Sequence, residues 1–461
     1  MLPNLVRRML QSLTIRNPWV LHSNRMAVKP DKILCVFILL VAGFFILIPD
    51  TRGQIMEYVR NNAVPLKSVD LNDTAFDDLL PVARAIGNKR IVMLGELFHG
   101  DATTFEAKAR LIKFLHQKMG FNVLAFEGDF FALNHGWQRF KNGEIKIDTF
   151  LQSSIFPVWT CCKQCSAVFN YIMDSAEGDH PLTITGFDNQ IMSGYTTRNL
   201  QKYVSGILNT SKIGFSKNAA YSRYLSLLDS PAIARGAKCI PLFDSLINYT
   251  STILTQTDSI LPKDEFPAKV FENLLVFYKQ ARYYWDTQKQ DSGYSPFRDY
   301  QMAENLKWLA TRKYPGEKIL VWAHNAHIFK NSDVTFNKKT GQGYSMGYYF
   351  TRDKILMDQT YIIGFTEYSG FGKFINQKNA VKVTRPNSHG LEQWLNDRGY
   401  PFAFIDFSGF SVTHPENRET FYMKREIFAE EKSFWHRFYD GIFFIQKMEP
   451  CESTIGILKN K

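Results

Sequence analysis

The chain lacks the common signatures of covalent and cofactor-dependent catalysis. The one G-x-S-x-G match, Gly343-Tyr344-Ser345-Met346-Gly347, sits in a glycine- and tyrosine-rich stretch with no strand read before it, so it lacks the strand-to-helix elbow of a serine α/β-hydrolase. No H-E-x-x-H, no P-loop and no G-x-G-x-x-G after a strand occurs, which removes zincins, NTPases and dinucleotide enzymes. Cysteine is sparse. The six residues form no framework: Cys35 lies in an apolar stretch, and Cys239 and Cys451 stand alone. Cys161, Cys162 and Cys165 cluster without a second pair at ligand spacing, so they read as packing residues of a helix start rather than a zinc site. In an exported body that cluster is also a place for a disulfide. A striped basic face is absent too. The net charge is +11, but Arg7, Arg8, Arg16, Arg25, Lys29 and Lys32 precede residue 33 against Asp31 alone. The remaining excess is scattered, which argues against a nucleic-acid partner.

Those basic residues (1–32) are followed by one uncharged run, Ile33 to Ile48. At about 1.5 Å per residue it is short for a ~30 Å hydrocarbon core. Its length suits a signal-peptide apolar region or a short signal anchor, and Pro49-Asp50-Thr51-Arg52 gives no small-x-small cleavage site. Positive charge before the run and little after it place the N-terminus inside and the body outside. The expectation is an exported or membrane-anchored protein with residues 33–48 as its membrane contact.

The body, residues 53–461, carries a strand–helix rhythm. Val64 to Gly87 reads as a helical lead-in and Lys89 to Glu96 as the first strong strand. Thr103 to Lys118 follows as a helix with Thr103 and Glu106 at capping-box spacing and Arg110 one turn beyond Glu106. Asn122 to Glu127, Leu182 to Asp188, Lys318 to Ala323, Tyr361 to Glu367, Phe402 to Phe407 and Gly441 to Gln446 read as further strands. Residues 196–290 lack strands and read as an α-helical insertion, a lid over the sheet edge. The reading is α/β, a largely parallel sheet flanked by helices, with 53–195 and 291–461 as the catalytic core.

Four strands end in ionisable residues: Glu96 with His99, Glu127, Asp188, and His324 with His327; Glu367 reads as a fifth. In open parallel sheets ligands bind beyond the C-terminal strand ends. A carboxylate-oriented imidazole there can take a proton from water while an Arg or a second His stabilises the developing oxyanion. Two routes fit these residue types. One is metal-free water activation by histidine. The other is a divalent metal held by Glu96, His99, Glu127, His324 and His327, lowering the pKa of bound water to ~7.

The sequence resembles the erythromycin esterase family at Gly95-Glu96-Leu97-Phe98-His99-Gly100, at Glu106 and Arg110, and at Leu124-Ala125-Phe126-Glu127. The resemblance continues through Thr185-Gly186-Phe187-Asp188, Arg298-Asp299, Met302-Ala303-Glu304-Asn305, Trp322-Ala323-His324-Asn325-Ala326-His327 and Ser345-Met346-Gly347, in family order. It implies water-mediated hydrolysis of an ester or macrolactone without an acyl-enzyme, on an α/β core, with no required cofactor. His99 would be the general base oriented by Glu96, with Glu127, His324 and His327 completing the catalytic set. Glu106, Arg110, Asp188, Arg298 and Asn305 would bind substrate, a small-molecule macrolide in the resistance enzymes. The apolar run and the cysteine cluster stand outside the resemblance. Two other readings of the same residues are a metal-dependent peptidase or amidase and a catalytically idle membrane-anchored binding protein.

Overall fold

In the structure, a computed structural model, residues 53–228, 240–257, 260–287, 297–332 and 344–454 are described. The apolar run 33–48 and the basic residues before it lie outside them. Among the described residues no helix is long and apolar enough to cross a membrane.

The described residues form eleven strands: β1 (Val64–Leu66), β2 (Ile91–Leu94), β3 (Phe121–Asp129), β4 (Thr183–Asp188), β5 (Lys318–Trp322), β6 (Thr360–Gly372), β7 (Val381–Lys382), β8 (Phe402–Asp406), β9 (Phe421–Glu426), β10 (Ala429–Ser433) and β11 (Gly441–Met448). Nine form one sheet in the order β1-β8-β11-β6-β2-β5-β3-β4, with β7 on β6. From β11 to β4 every neighbouring pair is parallel, and β1, β7 and β8 add antiparallel edges. The short strand β2 is central because all four of its residues, Ile-Val-Met-Leu, are apolar and buried, as a strand covered on both faces requires.

Strand periodicity assigns the two cores. Ile91, Met93, Val123, Ala125, Ile319 and Val321 face one side, and Val92, Leu94, Leu124, Phe126, Leu320 and Trp322 the other. The second face is covered by the helix Ala102–Met119. The first is covered in part by the expected insertion, which is helical over Gly194–Thr210, Tyr221–Leu228, Ile240–Thr257 and Phe266–Thr287. Phe266 packs against Phe130 with ring centroids 5.6 Å apart and stacks on Trp308 at 6.3 Å, so these helices share an apolar core with the sheet, and they fall in the same compact unit as the rest of the body.

Four local expectations change. The lead-in is not helical throughout. Val64-Pro65-Leu66 pairs with β8 at the sheet edge, where a proline is tolerated, and the helix runs only from Leu80 to Ile86. The helix Ala102–Met119 is capped by Asp101, whose Oδ1 accepts from the Thr104 amide at 3.0 Å, not by a Thr103–Glu106 box. Strand β6 continues past Glu367 to Gly372, so Glu367 is a mid-strand residue. The β9–β10 hairpin was not expected from the pattern, because its polar, lysine- and glutamate-rich residues lack strand character.

Cys451 is not isolated: it forms a disulfide with Cys162 across 289 residues, with Cα atoms 5.5 Å apart. Lys163 N donates to Glu452 O at 2.9 Å and Thr454 N to Cys161 O at 2.9 Å, so the segment after β11 is tied to the turn that follows Trp159. Alkylation of the unfolded, non-reduced chain should therefore label Cys161 and Cys165 and spare Cys162 and Cys451; labelling of Cys162 and Cys451 would remove the bridge. Cys162→Ser should lower stability by about 2–5 kcal/mol, read from denaturant unfolding.

Candidate active site

The site begins where β2 ends. Gly95 is fixed there by close approach: a Cβ would stand 1.9 Å from Asn325 Oδ1. Asn325 fills that space to bridge the loop to β6, donating from Nδ2 to Phe365 O (2.6 Å) and accepting at Oδ1 from Phe365 N (3.1 Å). Its own amide donates to Glu96 O at 2.9 Å.

Glu96 is fully buried, and its two oxygens are occupied separately. Oε1 lies 2.5 Å from His99 Nδ1 and accepts from Trp159 Nε1 at 3.2 Å; Oε2 accepts from Lys108 Nζ at 2.7 Å. Burial alone would push its carboxyl up. The Lys108 charge and the His99 bond overcome this, holding Glu96 below the usual carboxylate range. Lys108 itself is wholly buried, with its ammonium 4.0 Å over the Trp322 ring. Burial draws Lys108 down while Glu96 opposes it.

His99 therefore presents Nδ1–H to a carboxylate, which leaves Nε2 with the lone pair. Its side chain is 28% exposed, and Nε2 has no hydrogen-bond partner among the described residues. Burial favours the neutral ring, but Glu96 and then Glu127 outweigh it, and the His99 pKa is raised above 6.5. A base must be neutral to act, so with His99 in that role activity would rise with pH along a limb centred above 6.5. Glu96→Gln should move that limb to lower pH, and a kcat profile that does not shift would count against the pairing. Stability runs the other way: the Glu96–His99 contribution is fully present below the unfolded histidine pKa and is lost as pH rises through the folded one.

A second group stands beside the first. Arg298 forks onto Asp188 (Nε–Oδ1 3.1 Å, Nη2–Oδ2 2.7 Å) and donates from Nη2 to Glu127 Oε1 at 2.8 Å. Glu127 Oε2 accepts from the His324 amide at 2.8 Å. Burial opposes its charge, but His327, Arg298 and His99 more than reverse this and hold Glu127 far below the usual range. His327 Nδ1 donates to Asp299 Oδ1 at 2.7 Å. Its Nε2 lies 3.0 Å from Arg298 Nη1 and 3.3 Å from Glu127 Oε1. Neutral, it accepts from the guanidinium; protonated, it donates to Glu127. Burial lowers its pKa, but Asp299 and Glu127 raise it further.

His324 joins the two groups. Its ring centroid is 5.0 Å from that of His99 and 6.5 Å from that of His327. Nδ1 accepts from Ala326 N at 3.1 Å, so the proton sits on Nε2, which donates to Leu97 O at 3.0 Å. Burial, then the charge of His99, depress its pKa to about 3. With both nitrogens occupied, His324 holds the Glu96–His99 loop in place and is not a free base.

Seven of the ten sequence-read residues thus converge: Glu96, His99, Glu127, Asp188, Arg298, His324 and His327. Three do not. Arg110 is buried with Asp78 at 2.8 Å and donates to Ser68 O and Ala75 O, pinning the lead-in segment. Glu106 borders a cavity with Lys67, Asp70 and Lys163, and its pKa is raised by burial, then by Asp70 and Asp101. The reason is rotation. Lys108 points at Glu96, and positions two residues either side are turned about 200° away. Asn305 braces two elements, donating to Phe187 O (2.9 Å) and Asn273 Oδ1 (2.6 Å).

Lys108, Trp159 and Asp299 were not read from sequence as site residues, although Asp299 lies in one of the family motifs. A lysine at a buried helix position, i+12 from a strand-end glutamate, was the signal available for Lys108. Glu426, on β9, has a carboxyl raised to about 6 by burial, while the charges of Arg425, His99 and His327 oppose the rise. Among the described residues no three or more His, Cys, Asp or Glu side chains are grouped so as to hold a metal ion.

The sequence profile of the family described as Erythromycin esterase matches residues 116–448. A Bacillus subtilis (strain 168) protein named putative hydrolase YbfO is 28% identical over 421 residues, covering 85% of this chain and 91% of that protein. Erythromycin esterase type II of Escherichia coli is 22% identical over 437 residues, covering 86% and 98%. Among solved structures, a succinoglycan biosynthesis protein superposes with a TM-score of 0.65 at 18% identity, over 87% of this chain and 98% of that one. A mutant of erythromycin esterase EreC in its open conformation gives 0.63 at 17% identity, over 84% and 98%. The structural likenesses speak for the fold.

Proposed function

This chain belongs to the erythromycin esterase family, and we propose that it is a hydrolase of that type in which His99 activates water against an ester or lactone carbonyl. The observation that carries the reading is the His99 imidazole, tied at Nδ1 to a buried glutamate and open at Nε2. Nε2 takes a proton as water oxygen attacks the carbonyl carbon. The carbonyl π pair moves to oxygen, giving a tetrahedral oxyanion. The C–O bond to the alcohol then breaks, the carbonyl re-forms, and the proton passes from Nε2 to the departing alkoxide. Glu96 orients the ring and stabilises imidazolium, and Lys108 keeps Glu96 ionised. The oxyanion would draw on Arg298 and His327, whose charges are already shared with Glu127, Asp188 and Asp299.

This route takes no cofactor. The family and the relative from Escherichia coli favour a small-molecule macrolactone as substrate. The basic segment and apolar run before residue 49, with the Cys162–Cys451 bridge, favour an exported or membrane-anchored body in an oxidising compartment. The test is hydrolysis of a panel of esters and lactones, macrolides included, in ¹⁸O-water. One labelled oxygen should enter the carboxylate product, and activity should survive chelation. Activity that vanishes with a chelator and returns with a divalent ion would favour the metal-dependent peptidase or amidase reading; binding without turnover would leave a binding protein.

A further inference from the structure

Apart from the His99 group, a cavity of about 360 Å³ lies beside the helix Phe407–Thr413, lined among others by Lys330, His414, Arg418, His436, Arg437 and Asp440. Its charge is one-sided in what is left unneutralised. Asp440 is taken up by Lys330, and Glu419 accepts from the amides of Gly53 (2.8 Å) and Ile55 (3.2 Å). Arg437 donates to a neutral acceptor, Asn417 O, at 2.8 Å. Among the described residues the exposed Arg418 guanidinium has no hydrogen-bond or ion-pair partner. Burial, then the like charge of Arg418, lower the Arg437 pKa, and Glu416 opposes them only in part.

A second observation points to a ligand. His436 is 4% exposed, packed between the rings of Phe410 (5.5 Å) and Phe421 (6.3 Å), and its buried Nδ1 has no hydrogen-bond partner. Burial and Arg437 keep the ring neutral, with a pKa of about 4. A neutral imidazole can still donate one N–H to an anion, and a buried polar nitrogen without a partner is costly until it does. Two guanidiniums, an imidazole and the hydroxyl of Ser411 around one cavity suit a tetrahedral oxyanion better than a planar one.

We propose that this cavity is a binding site for a phosphate monoester group, separate from the hydrolytic site. The test uses the full chain and reads amide hydrogen exchange of residues 407–418. Millimolar inorganic phosphate should protect that segment, and acetate should protect it less. Arg418→Glu, an exposed position without partners, should weaken the effect about tenfold or more, and His436→Phe, which keeps the ring packing, should weaken it as well. Protection with phosphate in solution marks a soluble ligand. Protection only when the chain sits in bilayers containing phosphatidic acid marks a lipid headgroup. No protection in either setting, equal protection by acetate, or protection unchanged in both variants would overturn the proposal.

Discussion

Replacing His99 by alanine should lower kcat for ester or lactone hydrolysis by about 10²–10⁴, the usual contribution of a positioned general base. At 1.36 kcal/mol per decade this is a loss of about 3–5 kcal/mol of transition-state stabilisation. The fold should survive the change. Glu96 keeps Lys108 at 2.7 Å and Trp159 at 3.2 Å, and the removed ring is partly in solvent. A circular dichroism spectrum and an unfolding midpoint close to the parent would exclude collapse as the cause. His99→Gln separates geometry from basicity: the amide can still meet Glu96 but cannot take a proton, so it should be as inactive as the alanine variant. Undiminished turnover by either protein would end the assignment of His99 as base. His324→Ala should behave differently. Its nitrogens serve Leu97 O and Ala326 N, so its removal should loosen the loop and reduce activity through misplacement of His99.

These expectations show how far the sequence carries. Glu96, His99, Glu127, Asp188, His324 and His327 could be read because parallel strands deliver their C-terminal ends to one edge, and an apolar run that stops at a charged residue marks such an end. The alternation of Ile91 and Met93 against Val92 and Leu94 follows from the same pattern. The positions that misled were helical ones. Glu106 and Arg110 belong to the recognisable motif series, yet which side of a helix meets the sheet depends on how it is docked, and Lys108 is the residue that faces Glu96. Trp159 reaches Glu96 from a turn braced by Cys162–Cys451, a pairing over 289 residues that spacing alone does not reveal. The β9–β10 hairpin brings Glu426 within electrostatic reach of His99 and His327 on residues too polar to announce a strand.

Arg298→Met should destabilise the protein by about 3–5 kcal/mol at neutral pH, the range for removing one partner of a buried ion pair. Arg298 answers Glu127 and Asp188 at once, and those carboxylates are 3% and 0% exposed. Without the guanidinium, Glu127 retains the His324 amide and a weaker contact with His327 at 3.3 Å. Lysine should restore only part of the loss, because one ammonium cannot reproduce the fork onto Asp188. The pH dependence distinguishes lost charge from lost packing. In the parent, Glu127 is held well below its unfolded range, so its contribution is present above the unfolded carboxylate pKa of ~4.3 and disappears as pH falls through the folded value. In the methionine variant the orphaned carboxylate takes up its proton at higher pH. The gap between the two proteins should therefore be widest near neutrality and narrow below about pH 5. Urea unfolding of both proteins across that span is the measurement. A gap of less than about 1 kcal/mol, or one that does not change with pH, would mean that the Glu127–Arg298–Asp188 cluster is not the buried charge network its geometry describes.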